Sequence, residues 1–338
     1  MELIIRIELY VHICQDNDER TAKEEVTRCA DNQTTKQKPE EKEGTKPDGF
    51  LRQAEQMAKQ QKNALSLSTI DNYMTAIRSF KQYLGEDVPI GKLSQQMMKE
   101  YERWLRDRNV SLNTVSCYMR SLRSLLQKVS GKRGADVFDG VYTGRVRTGK
   151  RAVSETDIAR LKALRLKPDS FSCQVRDLFL FSFYALGMPF VDVAFLRKSQ
   201  IANGQLTYFR HKTGQKVTVS LEPCMQEIIQ RYQTGDSPYV FPLIKSSDQD
   251  KAYREYQIEL NLYNRALKHL AAEAGLDCRL TSYVARHTWA SMAFSQNVDL
   301  PVISKALGHT NPQTTLVYIK EINDHRLDEA NRKILDSI

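Results

Sequence analysis

A glycine-rich, cationic segment separates two regions of this 338-residue chain that carry helical hydrophobic patterns. Residues 130–151 read SGKRGADVFDGVYTGRVRTGKR, with six lysines and arginines against two aspartates. Helical hydrophobic patterns flank the segment on both sides, so we expect two domains rather than one continuous core. A connector with this charge suits a phosphate backbone, and an ordinary flexible linker is the plainer alternative.

Residues 51–130 carry three amphipathic helix patterns. In STIDNYMTAIRSFKQYLG, Ser68 is a candidate N-cap and Gly85 is a stop signal. In SQQMMKEYERWLRDRN, the inner face is predicted to include Met97 and Tyr101. The third pattern, SLNTVSCYMRSLRSLLQKV, sets an apolar stripe opposite four polar residues, namely Asn113, Ser116, Arg120 and Arg123. Such a face can contact base edges and phosphates, although it is also typical of a solvated helix.

Residues 152–338 carry helical hydrophobic patterns, interrupted once by the alternating pattern of β-strands. SETDIARLKAL opens a helix with Ser154 as N-cap, and DLFLFSFYAL is apolar enough to predict a buried helix. GQLTYFRH and QKVTVSLE alternate, which predicts a β-hairpin with Lys212 in its turn. The sequence therefore predicts a mainly α fold: a helical domain at 51–130, a basic linker at 131–151, and a mostly helical domain with a small hairpin or sheet at 152–338.

Composition narrows the class of partner. The formal net charge is +9, and the acidic residues outnumber the basic ones within positions 1–50, so the excess of cations falls on the rest of the chain. A basic body favours a polyanion such as nucleic acid, with an ordinary basic surface as the alternative. Residues 1–50 are interpreted as a strand-like segment followed by a polar linker. The six scattered cysteines, which include no CxxC, argue against zinc and disulfides, and we expect a cytoplasmic protein.

Four residues of the second domain together offer chemistry on a phosphodiester. Tyr318 is a candidate nucleophile, although its phenol needs nearby cations to lower a pKa near 10. Arg286 offers a permanently charged fork to a phosphate whose oxygens gain negative charge. Lys212 is a candidate general acid, and His309, nine residues before Tyr318, can donate a hydrogen bond or accept the phenolic proton.

The motifs FRHKTGQKV, ARHTWAS, LGH and TLVYI, in this order and spacing, resemble the catalytic domain of the tyrosine recombinases, the phage-integrase family. LNTVSCYMRSLRSLL resembles that family's helical core DNA-binding domain, and VYTGRVRTGKRAVSETDIARL resembles integrases of bacterial mobile elements. The resemblance covers roughly residues 60–325. It implies that Tyr318 forms a 3′-phosphotyrosine, that Arg286 is the second arginine of a pair, and that neither ATP nor metal is required.

Two positions depart from the family pattern. Tyr283 stands three residues before the arginine, where the family has His or Lys, and a tyrosine can still donate a hydrogen bond. The first arginine is expected two residues after Gly187 or just before it, and these positions hold Pro189 and Leu186. Losing one such donor typically costs about 2.7–4 kcal/mol. Another arginine can substitute (Arg176 and Arg197 are the candidates), the enzyme can be slow and rely on partners, or the chain binds DNA without cutting it.

The resemblance also implies the partners. Double-stranded DNA would be gripped by both domains, with the linker cations Lys132, Arg133, Arg145 and Arg147 along its backbone. A homodimer would occupy inverted half-sites and a homotetramer would form the synapse, with accessory DNA-bending proteins as further partners. The predicted location is the bacterial cytoplasm, on the nucleoid, without a membrane. The alternatives are a non-catalytic DNA-binding relative and a monomeric type IB topoisomerase.

Overall fold

The chain forms two compact units in a computed structural model, which describes residues 49–61, 64–131, 136–146, 152–311, 313–316, 331–332 and 334–336. The described residues 49–146 belong to one unit, and those from 152 onward belong to the other. The division falls between Thr148 and Gly149, inside the segment predicted to be the linker. The predicted strand-like segment near the N-terminus lies outside the described residues. Among the described helices, none is long and apolar enough to cross a membrane.

Among its described residues, the first unit contains four α-helices. They are α1 (Phe50–Gln60), α2 (Leu67–Leu84), α3 (Gln95–Asp107) and α4 (Leu112–Ser130). Serine side chains cap the last three, since Ser66, Ser94 and Ser111 each accept a hydrogen bond from a first-turn backbone N–H. The α2 cap is thus Ser66 and not the predicted Ser68. Short 3₁₀ turns follow at Ile90–Lys92 and Asp136–Phe138.

The core of the first unit lies between α1, α2 and α4, with α3 closing one side. Phe80 and Tyr101 are fully buried with ring centroids 4.9 Å apart. On α3, Met98 is fully buried while the predicted Met97 is only partly so, a shift of one position around the helix. On α4, the predicted apolar stripe is buried at Val115, Leu122, Leu125 and Leu126.

The second unit contains eight α-helices and one small sheet among its described residues. The helices are α5 (Glu155–Ala163), α6 (Phe171–Tyr184), α7 (Phe190–Ala194), α8 (Pro223–Arg231), α9 (Gln249–Glu273), α10 (Val284–Ser295), α11 (Leu300–Ala306) and α12 (Gln313–Leu316). Helix α6 contacts α5, α8, α9 and α10, which explains its nearly continuous apolar sequence. The predicted capping box of α5 is present at Ser154 and Asp157.

The sheet has three antiparallel strands in the order β1 (Ile201–Ala202), β2 (Gln205–Phe209) and β3 (Lys216–Ser220). In the predicted hairpin, Leu206 pairs with Val219 and Tyr208 pairs with Val217. These four side chains form its buried face, because alternate residues of a strand point to the same side. The fold is mainly α with a small sheet, so the predicted fold class is confirmed.

Candidate active site

Arg286 lies at the start of α10 and is almost completely buried, with 2% of its surface exposed. Its Nη1 donates to the Gly187 carbonyl at 3.0 Å, and its Nη2 donates to the Leu307 carbonyl at 2.5 Å. Gly187 permits this close approach, because a Cβ at that position would lie 2.8 Å from the Arg286 Cα. Its φ of +69° also favours glycine. The guanidinium is therefore held between the loop after α6 and the turn after α11.

His309 follows Gly308 in that turn, and both of its ring nitrogens have partners. Its Nε2 lies 3.0 Å from the Arg286 Nη2, and its Nδ1 lies 2.8 Å from the Thr315 Oγ1. A guanidinium only donates, so Nε2 accepts and the imidazole proton belongs on Nδ1. Burial, together with the positive charges of Arg286, Arg210 and Lys212, lowers the His309 pKa from its ordinary value of 6.5 to about 4. His309 is therefore neutral at pH 7.

The hairpin turn brings Lys212 toward His309. The Thr213 hydroxyl donates to the Gly308 carbonyl at 3.2 Å, which fixes the hairpin turn against the His309 turn. Lys212 is exposed in the turn, and its charge contributes to the lowered His309 pKa. The structure thus brings together three of the five residues predicted to be catalytic, namely Arg286, His309 and Lys212.

Of the other two predicted catalytic residues, the structure describes Tyr283 but not Tyr318. Tyr283 precedes α10, has 44% of its surface exposed, and places its ring 4.8 Å from the His287 ring. An exposed phenol at this place can still reach a ligand. Tyr318 lies outside the described residues, and the described helix α12 ends two residues before it, at Leu316.

Arg210 was not predicted and is the second arginine at this site. It has 7% of its surface exposed, its Nε lies 2.9 Å from an Asp192 carboxylate oxygen, and its Nη1 donates to the Leu307 carbonyl. The aliphatic part of the Arg210 side chain packs against Gly308, where a Cβ would lie only 2.9 Å from the Arg210 Cγ. The strand alternation offered a signal: Leu206 and Tyr208 are buried, and Arg210 continues their face.

Asp192 joins this arginine to the segment that follows Gly187. It lies in the first turn of α7, which begins after Pro189. One carboxylate oxygen pairs with Arg210, and the other accepts the His211 backbone N–H at 2.9 Å. These contacts make Asp192 part of the framework that orients Arg210.

The substitutes suggested by sequence for the first arginine are engaged elsewhere. The Arg176 guanidinium binds Asp177, with 2.9 Å between Nη2 and the carboxylate, and donates to the Leu164 carbonyl at 2.8 Å. The Arg197 guanidinium lies over the Tyr239 ring, 5.7 Å from its centroid. These contacts hold both side chains to partners outside the cluster of Arg286 and His309.

The predicted DNA-binding residues of the first unit have mixed positions. Ser116 is fully buried, so its placement on an exposed recognition face was wrong; the face of α4 turns toward the core at this residue. Asn113 uses its amide on the backbone, donating to the Val146 carbonyl at 3.0 Å and accepting the Val146 N–H at 2.9 Å. Arg120 is exposed and Arg123 is half-buried.

The predicted cations of the linker are only partly described. Arg145 is exposed, next to the residue that Asn113 holds. The remaining three, Lys132, Arg133 and Arg147, lie outside the described residues. Asn113 therefore fixes the part of the basic linker around Val146 on α4 of its own unit.

Solved structures share this architecture. A lambda integrase dimer bound to a COC′ core site has a TM-score of 0.61 and 15% identity, covering 80% of this chain and 93% of that one. A lambda integrase tetramer bound to a Holliday junction also scores 0.61 at 14% identity, covering 80% and 76%. The Tn1549 transposon integrase in complex with transposon right end DNA scores 0.62 at 13% identity, covering 84% and 99%. The fold is that of the tyrosine recombinases.

Family models give the same answer from the sequence. The phage integrase SAM-like domain matches residues 49–130, and the phage integrase family matches residues 155–325. The chain belongs to the phage integrase family. Tyrosine recombinase XerD of Bradyrhizobium diazoefficiens is 24% identical over 285 residues, covering 76% of this chain and 87% of that protein. Membership of this family supports site-specific DNA recombination as the class of activity.

Proposed function

We propose that this chain is a site-specific DNA recombinase that cleaves and rejoins duplex DNA through a 3′-phosphotyrosine formed by Tyr318. The observation that carries the proposal is the contact of Arg286 with His309 beside the Leu307 carbonyl, with the Lys212 hairpin bound to the same turn. A buried guanidinium, a neutral imidazole and an exposed ammonium are the groups that transfer of a phosphodiester requires.

In the proposed step, the Tyr318 oxygen attacks the scissile phosphorus while the bond to the 5′-oxygen breaks. The phenolic proton passes to the His309 Nε2 once the Arg286 Nη2, which donates to that nitrogen in the free protein, turns to the phosphate. The Lys212 ammonium gives a proton to the leaving 5′-oxygen. Arg286 offers N–H groups to the non-bridging oxygens, where negative charge increases in the transition state.

The covalent bond makes the step reversible. The energy of the cleaved phosphodiester is retained in the bond between the 3′-phosphate and Tyr318. A 5′-hydroxyl from another duplex can then attack the phosphotyrosine, displace the phenolate and restore the DNA backbone. Exchange of strands in pairs would pass through a Holliday junction.

The proposed DNA interface includes α4 and the basic linker. Arg120, Arg123 and Arg145, with the linker cations predicted beside them, would bind phosphates, and such contacts position a protein without reading sequence. Two protomers would occupy inverted half-sites, and four would form the synapse. Support for these states comes from the lambda integrase, which is known both as a dimer on a core site and as a tetramer on a Holliday junction.

The rival function is a relative that binds recombination sites without cutting them. Its supporting observation is the uncharged Pro189, at the position two residues after Gly187 where the resemblance leads us to expect an arginine. A cluster of His309, Arg286 and Lys212 assembled at one turn favours cleavage over this alternative.

A nicked suicide substrate separates the two functions. Cleavage of such a duplex releases a short fragment, so the phosphotyrosine cannot be resealed and the covalent complex accumulates. We expect the unaltered protein to form a complex that resists denaturation, and Tyr318→Phe to bind the same DNA without forming it. Tight binding of the correct DNA site by the unaltered protein with no covalent product would establish the binding-only function.

A further inference from the structure

The arginine at the end of β2 lies where a second phosphate-binding cation is needed. Proposed cleavage requires charge on the non-bridging oxygens to be neutralised, and neither Pro189 nor Leu186 can do so. We propose that Arg210 supplies, beside Arg286, the second guanidinium that binds the scissile phosphate. This inference rests on the proposed recombinase function and names the group that completes its site.

The first observation is convergence. The Nη1 of Arg210 and the Nη2 of Arg286 both donate to the carbonyl oxygen of Leu307. Two guanidinium groups that share one acceptor lie close together, and both side chains are more than nine-tenths buried. Burying two like charges side by side is unfavourable, and Asp192 offsets one of them. A phosphodiester arriving at this turn would further offset the positive charge.

The second observation is where Arg210 is anchored. Its Nε pairs with Asp192, and Asp192 lies three residues after Pro189 on the same short segment. The carboxylate thus holds an arginine from the hairpin against the loop that would carry the family's first arginine. Arg286 contacts that loop too, through the Gly187 carbonyl. Both guanidinium groups are therefore oriented by the loop and by the Leu307 turn.

The third observation is the electric field at His309. The charges of Arg286, Arg210 and Lys212 all disfavour a proton on this imidazole. Three cations around one neutral ring create a positive potential at the turn. Asp192 compensates one of them through its ion pair with Arg210. With three cations and one carboxylate, the site keeps a net positive charge that suits an anion such as a DNA phosphate.

The test compares two forms of the scissile group in the suicide substrate: the ordinary phosphate and a methylphosphonate, in which an uncharged methyl replaces one non-bridging oxygen. On the methylphosphonate, an arginine that neutralises that oxygen has no charge left to neutralise, so removing the arginine should matter little. We expect Arg210→Ala to form the covalent complex about 100- to 1000-fold more slowly than the unaltered protein on the phosphate. On the methylphosphonate we expect the two proteins to differ by much less.

A second variant guards against misfolding. Removing Arg210 alone leaves the buried Asp192 carboxylate without its cation, which is destabilising. The double variant Arg210→Met, Asp192→Asn removes one positive and one negative charge, so it leaves the net charge of the site unchanged and should show the same dependence on the substrate. The matched control is Arg176→Ala, which removes another arginine paired with a buried aspartate of this unit, and we expect its effect to be equal on the two substrates.

Each outcome bears on the proposal. A rate decrease confined to the charged substrate supports phosphate binding by Arg210. Equal decreases on both substrates would assign Arg210 a purely structural role and overturn the inference, and so would full activity of the folded double variant on the phosphate. If the unaltered protein forms no covalent complex with either substrate, the recombinase function itself fails and the inference fails with it.

Discussion

At the scale of single residues, His309 shows how the site controls protonation. Its Nε2 accepts from Arg286 and its Nδ1 donates to Thr315, an arrangement that only the neutral ring satisfies. Burial and three nearby cations hold its pKa near 4. A DNA phosphate would offset those cations and raise the pKa, so the imidazole becomes a better proton acceptor when substrate is present.

This arrangement predicts how stability depends on pH. The ordinary histidine pKa of 6.5 applies to the unfolded chain, and the folded value is about 4. Between these values the unfolded state binds more protons, so His309 destabilises the fold as the pH falls from about 6.5 to about 4. Denaturant titrations at pH 7 and pH 5 should show a greater decrease in stability for the unaltered protein than for His309→Gln.

An NMR titration of the free protein checks the same point directly. We expect the His309 ring to remain neutral and protonated on Nδ1 throughout the range from pH 7 to pH 5. Titration of His309 near its ordinary value of 6.5 would show that the cations do not act on it as the structure implies.

Residue chemistry explains which site residues the sequence could predict. Arg286, His309 and Lys212 could be grouped from the sequence because their motifs occur in the order and spacing of the family's catalytic domain. Arg210 was missed because an arginine near a hairpin turn usually faces solvent, although the strand alternation placed it on the buried face, where it contacts Asp192 and Leu307. Ser116 was misplaced because the helical period does not reveal that a small polar residue packs inside the core.

At the scale of elements, the loop between α6 and α7 aligns the site. Its glycine brings the backbone against α10, where the Gly187 carbonyl accepts from Arg286. The hairpin and the turn after α11 are likewise joined through Thr213 and Gly308. Helices and strands were predictable from periodicity, but these contacts between loops depend on packing across distant parts of the chain.

Gly187→Ala tests this packing. A side chain at this residue is strained by φ +69° and would lie 2.8 Å from the Arg286 Cα. Gly275→Ala is the matched control, because its φ of +65° is similar and no atom lies within 4 Å of an added Cβ. We expect the control to lower the free energy of unfolding by about 1–2 kcal/mol. Gly187→Ala should cost about 1–3 kcal/mol more, because of the overpacking. Equal costs in denaturant titrations would disprove the close contact.

At the scale of the whole molecule, the net charge of +9 suits a protein that binds a polyanion. The cations predicted to bind DNA lie on α4 and in the linker, and Asn113 holds part of that linker through Val146. The glycine-rich segment led us to expect two domains. The bond between Asn113 and Val146 was not predictable, because it joins an amide side chain to backbone 33 residues away.

The salt dependence of DNA binding tests the linker. If Arg145 binds a phosphate, Arg145→Ala should weaken binding to all sequences alike and reduce the slope of log K against log salt by about 1. Lys59→Ala is the control, because that ammonium already pairs with Glu55 at 2.6 Å. An unchanged slope for Arg145→Ala would remove this residue from the interface.

The central claim concerns the bond between the DNA and Tyr318. Digestion of the trapped covalent complex with trypsin and nuclease should leave a nucleotide on one peptide, residues 306–320, in which Tyr318 is the only tyrosine. Mass spectrometry of that peptide is the direct measurement. We predict the added mass on Tyr318, and a nucleotide on any other residue would contradict the proposed mechanism.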